Sequence, residues 1–259
     1  NKLREIPPSA AALSQLTLLD LRGNQLETIP STMARLTNLE VLDLGANRLV
    51  RLPIWVGTIT RLRKLDLDQN ELESPPPSVV AEGSDGVKDF LGRIFAAYDC
   101  GKLDLVGRGL SALPVELLEG RGQYGDGEPG ELIPHLKMLN LSDNAFEELE
   151  AEVSELSALT DLRLSQNSLR ELPPTVVLLK HLLTLHAEEN ILETLPVDLG
   201  RLTQLEVLML SGNALTFLPE SVGSMLSLRE LILDTNSLNY LPGSIAGLTA
   251  IERLSFQHN

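Results

Sequence analysis

Leucine recurs along this chain with one spacing, and the whole pattern repeats every 23 residues. Its plainest example reads Leu16-x-x-Leu19-x-Leu21-x-x-Asn24-x-Leu26-x-x-Ile29-Pro30. A fixed period of this length is typical of a solenoid, in which each unit buries its apolar side only against its neighbours. The repeats open at Leu16, Leu39, Leu62, Cys100, Leu136, Leu159, Leu182, Leu205, Leu228 and Ile251.

Each repeat predicts the same local elements. The opening Leu-x-x-Leu-x-Leu alternates apolar and polar positions, which favours a short strand with its leucines pointing inward. The asparagine that follows needs partners for its amide, and stacked asparagines can bond the backbone of neighbouring turns. The Leu-Pro segment after it, as in 192–202, favours a short helical or 3₁₀ turn. Because strands pack closer together than such turns, we expect a curved α/β solenoid with a parallel concave β-sheet and convex helical or 3₁₀ turns.

Two insertions interrupt the period and suggest the domain organisation. Apolar residues at helical spacing predict an α-helix over 84–98, on the flank of the solenoid. A polar, glycine-rich stretch predicts a mobile loop at about 120–135. Cys100 takes the place of a repeat leucine, which predicts a small buried side chain. We therefore expect a first array over 1–83, a helical insertion over 84–99 and a second array over 100–259, together one continuous solenoid.

Charge is unevenly distributed and narrows the class of partner. The formal net charge is -15, of which residues 1–99 carry -2 and residues 100–259 carry -13. An acidic surface disfavours nucleic acid and an anionic membrane as partners and fits a protein with a basic surface. The sequence has one cysteine and no apolar run long enough to span a membrane, and no signal peptide is visible in it. We expect a cytoplasmic protein. Association with the cytoskeleton or a cilium is one form that this location could take.

The repeat resembles that of intracellular leucine-rich-repeat proteins of the 23-residue Leu-Pro type. Plant intracellular Ras-group-related proteins and Ras suppressor proteins belong to this type. The segment from Asn70 through Pro75-Pro76 to Phe90-Leu91 is similar to the end of one array in the leucine-rich repeat-containing protein 40 subfamily, where a second array also opens after a helix. The resemblance covers the whole chain. It implies a binding scaffold with no catalytic residues.

Candidate binding residues are the strand side chains that point away from the leucine core. Successive repeats place aspartates next to one another, and two such carboxylates repel by about 1 kcal/mol even in water. This acidic column is either kept for a partner or is a solvated surface partly neutralised by Lys64 and Lys102. The apolar side chains further along have no core role there, which favours a contact site. The candidate partner-binding residues are Asp20, Asp43, Asp66, Asp104, Arg163, His186, Val207, Met209 and Ile232.

The sequence contains no phosphate loop, nucleophile elbow or paired-histidine metal motif, and its four histidines lack metal-ligand spacing. We therefore predict no enzyme activity, catalytic residue, metal, cofactor or small-molecule substrate. The function expected is protein–protein interaction, as a scaffold that binds a partner on the concave face. Two alternatives remain open. The chain could be the regulatory arm of an enzyme whose catalytic domain lies outside this sequence, or a fixed structural subunit of a large cytoskeletal or ciliary assembly.

Overall fold

A computed structural model describes residues 2–118 and 135–259. The chain divides into two compact units. Among the described residues, the first unit takes in 2–100 and 114–118, and the second takes in 101–113 and 135–259. The mobile loop predicted at about 120–135 falls almost entirely outside the described residues, so it stays a prediction, as does one continuous solenoid.

The first unit contains a three-stranded parallel sheet with the strand order β1-β2-β3. Neighbouring strands pair one repeat apart, so the leucine at the centre of each strand faces its equivalent in the next repeat. The strands are β1 (Leu18–Asp20), β2 (Val41–Asp43) and β3 (Lys64–Asp66). The helices that follow are α1 (Pro77–Ala81), α2 (Gly83–Cys100) and α3 (Val115–Leu118).

Helix α2 covers the edge of this sheet. The Ser84 hydroxyl accepts a hydrogen bond from the backbone N–H of Leu65 at 2.9 Å and donates one to its carbonyl at 3.3 Å. The ammonium of Lys88 donates to the carbonyl of Leu62. Side chains of the helix thus satisfy backbone groups that a next strand would otherwise pair. The prediction of a buried Cys100 is wrong, because α2 continues to this residue and leaves it exposed at the helix end.

The second unit contains a seven-stranded parallel sheet with its strands in chain order. Each strand carries a leucine at its centre, and every such leucine except that of the last strand is buried. This confirms the predicted α/β solenoid of parallel strands. The strands are β4 (Lys102–Asp104), β5 (Met138–Asn140), β6 (Asp161–Arg163), β7 (Thr184–His186), β8 (Val207–Met209), β9 (Glu230–Ile232) and β10 (Arg253–Ser255).

The asparagine that follows every described strand except β4, where Arg108 takes its place, joins neighbouring turns as the sequence predicts. The amide nitrogen of Asn190 donates to the carbonyls of Leu164 at 2.9 Å and Ala187 at 3.3 Å. Its side-chain oxygen accepts the N–H of Leu169 at 3.0 Å. One buried side chain therefore satisfies polar backbone groups in two repeats, which ties each turn to the turn before it.

Short 3₁₀ turns lie on the opposite side of the repeats, and most of them begin directly after a proline. Proline suits this place because its fixed φ matches the turn and its missing N–H is not needed there. The 3₁₀ turns are Pro8–Ala12, Ser31–Arg35 and Ile54–Thr58 in the first unit, and Ala151–Glu155, Pro174–Leu178, Leu199–Arg201, Glu220–Ser224 and Gly243–Gly247 in the second.

Candidate partner-binding face

Strand alternation places all the candidate residues on the side of a sheet away from the leucine core, here called the concave face of each unit. Asp20, Asp43 and Asp66 are the last residues of β1–β3 and lie in register in the first unit. In the second unit Asp104 belongs to the same kind of column, but the column changes character from repeat to repeat. Along β4–β10 it reads Asp104, Asn140, Arg163, His186, Met209, Ile232 and Ser255.

The aspartates have a structural task besides any role in binding. The Oδ1 atom of Asp43 accepts the backbone N–H of Gly45 at 3.0 Å, two residues further along the chain. Such a bond stabilises the turn that follows the strand, and an asparagine can make it equally well. Asn140 does so, with the N–H of Ser142 at 3.1 Å. The equivalent bonds join Asp20 to Arg22, Asp66 to Asp68, and Asp104 to Val106.

Arg22 neutralises part of the acidic column in the first unit. Its Nη1 atom lies 3.1 Å from Oδ2 of Asp66 and 3.8 Å from Oδ1 of Asp43. The guanidinium crosses Gly45, where an added Cβ would lie 2.3 Å from that same nitrogen. Lys64 was expected to contribute here, but it forms no ion pair with any described residue. This contact of Arg22 could have been predicted from Gly45 in the neighbouring repeat, because a glycine there leaves room for a long side chain to pass.

Arg163 and His186 in the second unit are each held by an acidic neighbour. Arg163 donates from Nε and Nη2 to the two carboxylate oxygens of Asp161, at 3.1 and 2.8 Å. This hydrogen-bonded pairing is the main reason that the pKa of Arg163 is raised. The Nδ1 atom of His186 lies 3.4 Å from Oε1 of Glu188, and the hydroxyl of Ser165 donates to Oε2 of Glu188 at 2.6 Å.

Glu188 is therefore the centre of a polar group that the sequence did not reveal. Burial, the largest single effect, acts to raise its pKa, but the hydrogen bonds from His186 and Ser165 outweigh burial and leave the pKa lowered. The three residue types are those of a hydrolytic triad, yet here serine donates to the glutamate and not to the histidine. A serine nucleophile needs the histidine as its base, so this arrangement is a hydrogen-bonded network rather than a nucleophilic site.

The apolar candidates form one cluster. Val207 and Met209 are the first and last residues of β8, and Met209 pairs in register with Ile232 of β9. All three side chains are only partly buried, whereas Leu208 between them is fully buried. This apolar cluster borders His186 on one side, in the register of β7 and β8.

Within residues 2–118 and 135–259, no group of three or more histidine, cysteine or acidic side chains is arranged to hold a metal ion. None of the helices in these ranges combines the length and the apolar character needed to cross a bilayer.

Family models agree with the repeat. The model described as "Leucine rich repeat" matches residues 1–49, 14–72 and 203–259. The model described as "Leucine-rich repeat region" matches residues 121–208. A search of curated proteins found no match.

Solved structures with the same fold include a bacterial and a plant protein. A leucine-rich-repeat protein of Leptospira interrogans is 27% identical, with a TM-score of 0.52, over 100% of this chain and 53% of its own. The ectodomain of the Arabidopsis thaliana receptor kinase GASSHO1/SCHENGEN3, solved with Casparian strip integrity factor 2, is 24% identical over 98% of this chain and 31% of its own, with a TM-score of 0.52. The chain thus spans about half and about a third of these two proteins. With its period, its parallel sheets and these family matches, the chain belongs to the leucine-rich-repeat proteins.

Proposed function

We propose that this chain is a protein–protein interaction module and that the concave face of its second unit is the main docking surface. The leucine-rich-repeat fold is typically an interaction module without catalytic residues, and solenoids commonly bind partners on their extended concave surfaces. The proposal rests most on the apolar cluster of Val207, Met209 and Ile232. Adjacent apolar side chains that point away from the core gain from burial only when something covers them.

The polar residues beside the cluster support the same proposal. Arg163 and His186 are held in place by Asp161 and Glu188 before any partner arrives. Binding to side chains that are already ordered avoids part of the entropy cost of association. A fixed arginine and a fixed histidine next to apolar contacts give the surface a polar rim, which is the usual composition of a protein interface.

The acidic columns favour a partner with a basic surface. The carboxylates of Asp20, Asp43, Asp66 and Asp104 each accept a turn N–H through Oδ1, and the second oxygen of Asp66 accepts from Arg22. Because Arg22 already neutralises part of the first column, we expect these residues to guide the encounter more than to hold the complex.

Photo-crosslinking with a purified partner tests this proposal. A partner would be isolated with the wild-type chain, and p-benzoylphenylalanine would then replace Met209 or Ile232. Val197, which is 80% exposed and lies two residues before the 3₁₀ turn Leu199–Arg201, provides a matched apolar control, and Phe95 provides a site on α2. We expect crosslinks from positions 209 and 232 alone. Crosslinks confined to position 95 or 197 would reject the concave face as the docking surface.

We further propose that the chain belongs to the intracellular Leu-Pro type and to the subfamily of leucine-rich repeat-containing protein 40, with a cytoplasmic location. The 23-residue period and the prolines that precede the 3₁₀ turns support the repeat type. The helix that follows the first array supports the subfamily. Microscopy of the tagged full-length protein would test the location, and an extracellular or membrane-enclosed signal would contradict it.

A further inference from the structure

One position of the repeat outside the concave face changes from acidic to aromatic along the second unit. It is the residue just before the leucine that precedes the 3₁₀ turn. In successive repeats this position holds Glu148, Glu171, Thr194, Phe217 and Tyr240. All five side chains are exposed. We call Glu148, Glu171, Phe217 and Tyr240 the acidic–aromatic flank.

Backbone hydrogen bonds hold neighbouring repeats close together at this flank. The N–H of Glu193 donates to the carbonyl of Arg170 at 3.0 Å, and that of Asn239 donates to Thr216 at 3.2 Å. Each of these four residues directly precedes a flank position in the sequence. Because such pairing is that of parallel strands, adjacent flank positions are about 4.8 Å apart. Phe217 and Tyr240 are therefore neighbours. Glu148 and Glu171 hold the same position in consecutive repeats, which are joined nearby by the N–H of Ser168 donating to the carbonyl of Phe146 at 2.8 Å.

The two aromatic side chains have no core to fill. Phe217 is 37% exposed and Tyr240 is 62% exposed, in a chain in which only 3% of residues are aromatic. Aromatic side chains at exposed, neighbouring positions are the kind of group that anchors protein interfaces.

The two glutamates are available for a cation. Neither Glu148 nor Glu171 makes a hydrogen bond or ion pair with any residue that the structure describes. Arg170, which precedes Glu171 in sequence, lies 3.9 Å from the carboxylate of Glu193 and is thus already paired. Glu147, which precedes Glu148 in sequence, adds a further exposed carboxylate.

We propose that the acidic–aromatic flank is a second docking surface, for an extended segment of a partner protein that carries lysine or arginine followed by an apolar side chain. The carboxylates attract the basic residues, and the aromatic pair receives the apolar one. Glu171 and Phe217 are two repeats apart, or about 10 Å, which an extended peptide covers in about three residues. Charge complementarity favours such a segment over an acidic or purely apolar one.

This surface differs from the concave face in both position and ligand chemistry, so the two proposals can fail separately. The probe is a short synthetic peptide with two lysines, a Gly/Ser spacer of about three residues and a leucine. One control peptide has glutamates in place of the lysines, and another has serine in place of the leucine. Binding is followed by NMR shifts of the backbone amides, which remain in every variant, at peptide concentrations up to about 1 mM because a short segment binds weakly.

We expect the probe to bind and both control peptides to bind about tenfold more weakly or worse. The Phe217→Ser/Tyr240→Ser and Glu148→Gln/Glu171→Gln variants should each lose a similar factor, while Val197→Ser should not. Because these side chains are exposed, circular dichroism should report every variant as folded. An unaffected glutamate variant would reject the charge argument.

Three further results would overturn the proposal. The first is no binding of the probe. The second is binding that is lost in Met209→Ser/Ile232→Ser but kept in Phe217→Ser/Tyr240→Ser, which would assign the peptide to the concave face and leave the proposed function intact. The third is self-association in gel filtration that disappears with Phe217→Ser/Tyr240→Ser, which would assign the flank to a second copy of the chain.

Discussion

Gly57 and Gly92 meet backbone to backbone. A Cβ atom added to Gly57 would lie 2.2 Å from the backbone nitrogen of Gly92, whereas one added to Gly92 would lie 3.3 Å from the carbonyl oxygen of Gly57. The first residue belongs to the 3₁₀ turn Ile54–Thr58 and the second to α2. Because neither residue has a side chain, α2 packs directly against the backbone of the 3₁₀ turn Ile54–Thr58.

Replacing Gly57 by alanine should therefore destabilise the first unit by about 1–3 kcal/mol, the usual cost of overpacking. Gly92→Ala is the matched control, because its contact is milder and alanine favours a helix by about 1 kcal/mol over glycine. We expect that variant to change the free energy of unfolding little. Urea denaturation measures the free energy of unfolding of both variants. Equal losses in the two variants would show that Gly57 is not the position at which the backbones are too close for a side chain.

A second prediction concerns the asparagine ladder, the set of asparagines that follow the strands and bond the backbone of neighbouring turns. Asn190→Ala removes a buried side chain that bonds backbone groups of Leu164, Ala187 and Leu169. Each buried group left without a partner costs about 1–3 kcal/mol, so the loss of stability should exceed that of an ordinary surface change. Asn239, an exposed asparagine outside the ladder, is the control. A loss no larger in Asn190→Ala than in Asn239→Ala, measured by thermal melting, would show that the ladder contributes little.

The repeat made most of the fold predictable. Every described strand is centred on the fourth residue of its repeat, which is the leucine that alternation points inward. The helical insertion was visible for the same reason, since its apolar residues follow a helical period, and the helix runs from Gly83 to Cys100. The C-terminal end of the helix was predicted two residues too early, because the leucine pattern assigns Cys100 to the repeat that contains the next strand.

The surface was harder to predict than the core. Arg22 reaches Asp66 across 44 residues of sequence, and only the absence of a side chain at Gly45 allows it. The contacts of Glu188 with Ser165 and His186 depend on side-chain direction after the strand has ended. Alternation shows which residues point outward, but not which rotamers they adopt or which partners they choose.

Glu188 predicts a pH dependence. Its pKa is lowered in the folded chain, so it contributes stability above the ordinary glutamate pKa and loses it as the pH falls through the folded value. The Glu188→Gln variant lacks this contribution. The difference in unfolding free energy between wild type and variant should thus be largest near neutral pH and shrink below about pH 4. A difference that is constant from neutral to acid pH would contradict the lowered pKa.

Docking of a protein partner on the concave face can be tested by the kinetics of binding to an isolated partner at low and high salt. Changing Asp20, Asp43, Asp66 and Asp104 to asparagine preserves the accepting oxygen of each turn, so the chain should stay folded. We expect this variant to associate more slowly at low salt and like wild type at high salt. Met209→Ser/Ile232→Ser should dissociate faster at every salt concentration, because it removes desolvated apolar contacts. Wild-type rates in both variants at both salt concentrations would show that the concave face is not the interface.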